Sequence, residues 1–257
     1  MNVGLSRCGF VVLLCGAVLA SFCVGCKSKS KSPTTAPAEA VKPGPQRWAV
    51  LIHHARGYRS VLADHYDWPA DHIIEVDNPT PKKLTDAFGR VPKLSRDDLF
   101  LFAVCHHAGR GYVFNNQWPW RQVEQQLARI GATNAVLLET CHGGLAMEHL
   151  PSADVVYSAC DALNKCGGIF QRLLIAALTN AASDTDGDGN ISLAEAYDVA
   201  ADPAALREQY SQLHKNSPNF WPTSQPAIPV RSPGRRGYKI SLGRNWDLSK
   251  SGAEQKK

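Results

Sequence analysis

Two stretches of this chain place reactive side chains where a hydrophobic run stops. "FAVCHHAGRG" (102–111) ends in Cys105, His106 and His107, and "LLETCHGG" (137–144) ends in Cys141 and His142. A thiol becomes a nucleophile near neutral pH when a base or cation stabilises its thiolate, and imidazole can serve as either. The glycines after each group let a substrate backbone approach closely and leave N–H groups to hold an oxyanion. A cysteine–histidine dyad is one reading; a buried thiol among satisfied histidines is the other.

A third stretch, "DTDGDGNISLAE" (184–195), suits a hard cation. Asp184, Asp186 and Asp188 stand at loop positions one, three and five, and Gly189 gives the sharp turn at six. Asn190 offers its carbonyl at seven and Glu195 two oxygens at twelve. That is the spacing of an EF-hand calcium loop, so Ca2+ is the expected metal. A single such loop suits a structural clip better than a cooperative sensor. The imidazoles of His53, His54, His106, His107 and His142, with two thiols, raise zinc as a rival, although no HExxH or CxxC spacing accompanies them.

These residues need elements to position them. "RWAVLIHH" (47–54), "HIIEVD" (72–77), "DDLFLFAVCHH" (97–107), "NAVLLETC" (134–141) and "DVVYSA" (154–159) read as strands, mostly apolar on both faces. Between them lie helical patterns: 57–68, 80–91 with Thr80 as cap and Pro81 at the first helical position, 119–131 stopped by Gly131, and 169–182. A further helix, 192–200, follows the acidic loop. Alternation of this kind predicts an α/β fold, a three-layer αβα sandwich on a mainly parallel sheet. Both reactive groups then fall on one sheet edge, where such folds bind ligands.

The 257 residues divide into four parts. Residues 1–26 have Arg7 followed by an apolar run and end in Val-Gly-Cys, which resembles a bacterial lipoprotein signal and implies cleavage before Cys26 and lipidation of its sulfur; Cys23 departs from that pattern. A plain secretory signal or an uncleaved anchor is the alternative. Residues 27–46 are rich in Lys, Ser, Pro and Ala and read as a disordered tether. Residues 47–230 form the folded domain, and 231–257 a basic tail. The +5 formal charge resolves into +1, +3, −5 and +6 for those parts in order. Positive charge thus lies at the ends, which argues against a nucleic-acid groove and for a tether along an anionic membrane surface. The expected location is an exported lipoprotein facing the periplasm or cell exterior. Of eight cysteines, four belong to the signal; Cys160 and Cys166 are near enough in sequence to pair.

"ETCHGG" and "HHAGRG", on successive strands, resemble the motifs of the caspase-like cysteine peptidases, the clan of legumains, caspases and metacaspases. The resemblance runs from "WAVLIHH" through "GGIFQRLLIAAL". It implies a cysteine endopeptidase acting on peptides or proteins, with Cys141 as nucleophile and His107 as proton carrier. His106 leaves that base assignment open by one residue. The oxyanion donors would be the backbone N–H groups of Cys141 and Ala108, the latter standing where the family usually has glycine. For the pocket before the scissile bond the resemblance suggests Arg56 or Arg59, Asp64 and Asp161, with a lean to Arg or Lys as the residue selected. The alternative function is a catalytically degenerate calcium-binding surface lipoprotein.

Overall fold

The computed structural model describes residues 44–113, 117–163, 166, 168–216, 229–232 and 240–242. The lipoprotein-type signal, Cys26 and nearly all of the tether lie outside the described residues. Among the described residues no helix is long and apolar enough to cross a membrane.

Along the chain come β1 (Arg47–His53), α1 (Tyr58–Ser60), β2 (Ile73–Val76), α2 (Pro81–Arg90) and β3 (Leu99–Cys105). Three two-residue strands follow: β4 (Ala108–Gly109), β5 (Tyr112–Val113) and β6 (Trp118–Pro119). Then come α3 (Trp120–Ile130), β7 (Thr133–Glu139), α4 (Ala146–His149), β8 (Val155–Ser158) and α5 (Phe170–Leu178). The last elements are α6 (Leu193–Ala200), α7 (Pro203–Asn216) and β9 (Val230–Arg231).

The main sheet has the order β2-β1-β3-β7-β8-β9, parallel throughout except for β9 at its edge. Strand side chains alternate between faces, and here both faces are apolar. Leu99, Leu101 and Ala103 of β3 enter one core with Leu51, Leu137, Tyr157 and the helix residues Phe170, Leu174 and Tyr197. Phe100, Phe102 and Val104 enter the other with Ile52, Leu138, Phe88, Trp120 and Leu127. Two cores on opposite faces of one sheet make the expected three-layer αβα sandwich.

Local signals act as the sequence suggests in two places. Thr80 caps α2, its Oγ1 accepting from the Lys83 N–H at 3.3 Å with Pro81 first in the helix. Gly131 ends α3 at φ 79°, a left-handed angle that favours glycine. Elsewhere the helices differ from expectation. The 57–68 segment is α-helical only over Tyr58–Ser60 and widens to a π-turn over Val61–His65. The long helix expected over 169–182 ends at Leu178, where Thr179 and Asn180 leave helical angles and the Asn180 side chain accepts from the Ala182 N–H. Asn and Thr bond to nearby backbone and compete with helix continuation.

The boundary expected at residue 230 also moves. Leu242 is fully buried, its carbonyl accepts from Trp68 Nε1 at 2.6 Å, and the Leu193 N–H donates to the Ile240 carbonyl at 2.9 Å. Part of the basic tail is therefore built into the domain. Phe220, Trp221 and Tyr238, through which the end of the chain is expected to pack in part, lie outside the described residues.

Candidate active site

Register brings the reactive groups together. His53 of β1 stands beside Cys105 of β3, and Cys105 beside Glu139 of β7. The chain therefore leaves the sheet one residue later on each strand, with His106, His107 and Thr140, Cys141 on the same edge. The His106 N–H donates to the Glu139 carbonyl at 3.3 Å, which ties the two strand ends.

After Cys141 the chain turns at once. His142 takes φ 57° and its Nδ1 donates to the Ala162 carbonyl at 3.1 Å. Gly143 and Gly144 are required by close approach. A Cβ on Gly143 would stand 2.3 Å from Ser158 Oγ, and one on Gly144 2.7 Å from the Asp161 backbone carbonyl carbon. The Gly144 N–H donates to the Cys160 carbonyl at 3.1 Å. The turn carrying Cys141 is thus stitched to the loop after β8.

Cys105, Cys141, Cys160 and Cys166 all carry thiols, so the pair considered from sequence, Cys160 and Cys166, is not a disulfide here. Three of them meet. Cys166 is hydrogen-bonded to both Cys141 and Cys160 through its side chain, and to Cys141 through its backbone as well. Cys160 Sγ donates to the Thr140 carbonyl at 3.2 Å. The hydrogen bond from the Cys166 thiol lowers the Cys141 thiol to about 5. Burial opposes that shift, while the Cys166 N–H and the charges of His142 and His107 add to it. Cys166 moves the other way, because its one thiol proton is held between the Cys141 and Cys160 sulfurs beside Glu139 and the side chain is buried. Cys105 is a contrast: burial, and then the Glu139 carboxylate, push its thiol up to about 12. Of the two strand-end thiols, only Cys141 is poised as a nucleophile.

His107 is exposed and its charge reaches Cys141; His106 is turned towards His53, whose ring centroid lies 4.9 Å away. The His53 and His54 rings meet in a tilted contact at 3.8 Å, and His53 sits at φ 56°, ψ −119°, a conformation strained for any side chain. Burial lowers the pKa of both His53 and His106, and the neighbouring imidazoles add to it. Ala108 lies in β4 and is not among the residues with positive φ, so alanine fits there without strain where the resembling family carries glycine.

Sequence reasoning missed the role of Glu139. Its buried carboxylate accepts from the Gly168 N–H at 3.0 Å and the Gln171 N–H at 2.7 Å, holding the first turn of α5 under the site. Burial raises this carboxyl to about 7 against those bonds and one from the Cys166 thiol. The sequence signal was available: an acid at the end of an otherwise apolar buried strand needs buried donors.

The weaker specificity candidates separate. Asp161 adjoins the nucleophile turn through Gly144, and its carboxylate accepts from the Leu163 N–H at 2.8 Å. Arg59 is bound at the sheet's far edge, donating to the Ile73 carbonyl at 3.1 Å and pairing with Glu75 at 3.2 Å. Arg56 pairs with Asp77 at 3.6 Å beside a pocket of about 260 Å³ lined by His53, His54 and Asn78. Asp64 lies in the π-turn after α1, and no contact links it to Cys141. Arg59 is thus turned to a structural task, since an arginine beside an edge strand finds carbonyl and carboxylate partners there.

In the acidic loop, oxygens of Asp184, Asp186 and Asp188 lie within 4.8 Å of one another; among the described residues no other group of acids, histidines and cysteines converges so closely. The strand-end imidazoles and thiols named above as a zinc rival do not form such a group. Gly187 and Gly189 take φ 72° and 84°. Asn190 Nδ2 donates to Asp188 Oδ1 at 3.3 Å. The Glu195 carboxylate closes the loop from below: Oε1 accepts from the Thr185 N–H at 2.9 Å and Oε2 from the Ser192 N–H at 2.9 Å and Oγ at 2.7 Å. Burial alone would raise its carboxyl, but these bonds hold it at about 2.

The fold has known counterparts. The chain is similar to the crystal structure of caspase-1 from Spodoptera frugiperda, with a TM-score of 0.53 and 11% identity over 82% of this chain and 97% of that one. It also resembles the Arg-specific cysteine proteinase gingipain R, with a TM-score of 0.45 and 12% identity over 76% of this chain and 47% of that one. No family model and no curated protein matches the chain. The caspase comparison establishes a caspase-like fold.

Proposed function

We propose that the protein is a cysteine endopeptidase working through Cys141 and His107. The observation that carries this reading is the Cys141 thiol itself. It lies two residues beyond a central strand, is half-buried beside the charges of His107 and His142, and is held mostly as thiolate at neutral pH. In the proposed cycle the Cys141 sulfur attacks the scissile carbonyl. The backbone N–H groups of Cys141 and Ala108 receive the oxyanion, and His107 delivers a proton to the leaving amine. Water then releases the acyl group from sulfur with His107 as base.

Asp161, beside the nucleophile turn, supports a preference for Arg or Lys before the cleaved bond. The acidic loop supports calcium: three carboxylates converge at a spacing suited to oxygen ligands. Asp184, Asp186, Asp188, the Asn190 carbonyl and Glu195 would hold the ion, which would neutralise their repulsion and clamp the turn between α5 and α6. Cys26 and the basic tether support attachment to a membrane surface after export.

Fluorogenic peptides varied at the residue before the cleaved bond test the reading. Wild type should cleave Arg and Lys peptides, and Cys141→Ala should lose about 10³-fold or more. Calcium should raise the melting temperature of wild type and not of Asp186→Ala. Equal cleavage by wild type and Cys141→Ala would overturn the peptidase reading. A calcium-dependent melting temperature with no cleavage of any peptide would favour the calcium-binding lipoprotein.

A further inference from the structure

The three-thiol cluster does more than the peptidase reading uses. A nucleophile needs one thiolate, yet this site keeps two further sulfurs in a row behind it. Cys141 lies on the turn after β7, Cys160 on the loop after β8, and the Gly144–Cys160, Cys160–Thr140 and His142–Ala162 hydrogen bonds hold the two loops together. Cys166 stands between them, in contact with both sulfurs and with Glu139 below. Two residues on, the Gly168 N–H donates to the same Glu139 carboxylate. Cys160 is fully buried.

We propose that Cys166 and Cys160 form a thiol relay that removes oxidation from Cys141 and stores it as a Cys160–Cys166 disulfide. The oxidant is a hydroperoxide. The Cys141 thiolate takes its terminal oxygen and becomes a sulfenic acid, while the peroxide is reduced to an alcohol, or to water from hydrogen peroxide. The Cys166 sulfur attacks the Cys141 sulfur as its proton leaves; the S–O bond breaks, water departs, and a Cys141–Cys166 disulfide forms. The Cys160 sulfur then attacks Cys166 as its own proton passes to solvent, and Cys141 leaves as thiolate with no further electron change. The direction of that exchange follows from the leaving group: the sulfur with the more stable thiolate departs faster, and Cys141 departs beside the charges of His142 and His107 whereas Cys160 is buried. The disulfide comes to rest on the sheltered sulfur, and the nucleophile is free again.

Sulfur mapping tests this on the full chain. Reduced protein receives one equivalent of hydrogen peroxide, then an alkylating agent, and is digested without reductant. Glu148 and Asp154 lie between Cys141 and Cys160, and Lys165 precedes Cys166, so trypsin with a glutamyl protease separates the three thiols. Wild type should yield the Cys160–Cys166 linked pair with Cys141 alkylated. Cys160→Ser should stop at the Cys141–Cys166 pair. Cys166→Ser should form neither, and its Cys141 should reach sulfinic acid at least about 10-fold more than wild type at equal dose. Cys105 should remain alkylated in all of them.

The inference is overturned if neither wild type nor Cys160→Ser links Cys166 to another cysteine. Equal Cys141 sulfinic acid in wild type and Cys166→Ser would overturn it too. Should Cys166→Ser fail to fold, the wild-type and Cys160→Ser maps decide alone. Restoring Cys141 matters because it is the nucleophile of the reading above; the map reads sulfur connectivity, so a chain that cleaves no peptide still gives a decisive result.

Discussion

At the scale of single residues, the site turns on what stands next to each sulfur. Cys105 and Cys141 lie at or just beyond the ends of neighbouring strands and look alike in sequence, each followed by histidine. One is held protonated by its burial and by the neighbouring Glu139 carboxylate, and the other meets a thiol donor and two imidazoles and is held ionised. The rate should accordingly fall about tenfold per pH unit below about 5, where the Cys141 thiolate takes up its proton. Cys166→Ala removes the largest stabiliser of that thiolate, so the acid limb of kcat/KM should move up by at least about one unit. An unmoved limb would show that Cys166 does not set the nucleophile's ionisation. His107→Ala should lower kcat/KM by about 10² to 10⁴, and His106→Ala far less. The choice between adjacent histidines was open in the sequence because a one-residue shift at a strand end reverses direction. The structure turns His106 to His53 and leaves His107 facing the edge.

At the scale of elements, two turns carry the site, and each makes its own demand. The turn after β7 has no room for a side chain at Gly144, where the obstacle is backbone and cannot swing away. Gly144→Ala should therefore lower stability by roughly 1–3 kcal/mol and lower activity with it, read as a urea midpoint and a rate. The acidic loop depends on Glu195 even without an ion. Its carboxyl is held at about 2 against an ordinary 4.5. A folded-state value below the unfolded one gives stability that is complete above about 4.5 and disappears as the pH falls through about 2. Glu195→Gln, in calcium-free buffer at pH 7, should lose on the order of 1–3 kcal/mol and show a flatter decline on acidification. A wild-type slope equal to that of the variant would contradict the assignment. Apolar strands, the Thr80 cap and the Gly131 stop were legible because each rests on local chemistry. The two-residue strands β4 to β6 were not, since a pair of residues carries no period to detect.

At the scale of the whole molecule, the parallel sheet explains why distant residues meet. Matched register on β1, β3 and β7 delivers His53, Cys105 and Glu139 to one line, and the chemistry begins one residue beyond it. That edge could be inferred from alternation of strands and helices. The third sulfur could not, because Cys166 lies 25 residues after Cys141 in sequence and no periodicity places the two together. The end of the chain, expected to pack in part through its aromatic residues, does so through Leu242, which is buried under Trp68 and α6. Ending the chain at Ser232 should therefore cost about 3 kcal/mol or more in urea unfolding, by exposing that core and orphaning the Trp68 N–H. An unchanged midpoint would mean the tail is not part of the folded unit.

The most direct test of the central claim is covalent. A peptide ending in arginine and carrying a chloromethyl ketone presents its reactive carbon where a scissile bond would lie. Incubated with the full chain and followed by peptide mass mapping, it should add one label, on Cys141, and His107→Ala should slow that labelling at least about tenfold. Cys105, Cys160 and Cys166 should stay unlabelled. A label on another cysteine, or none on Cys141 in a folded protein, would contradict the account.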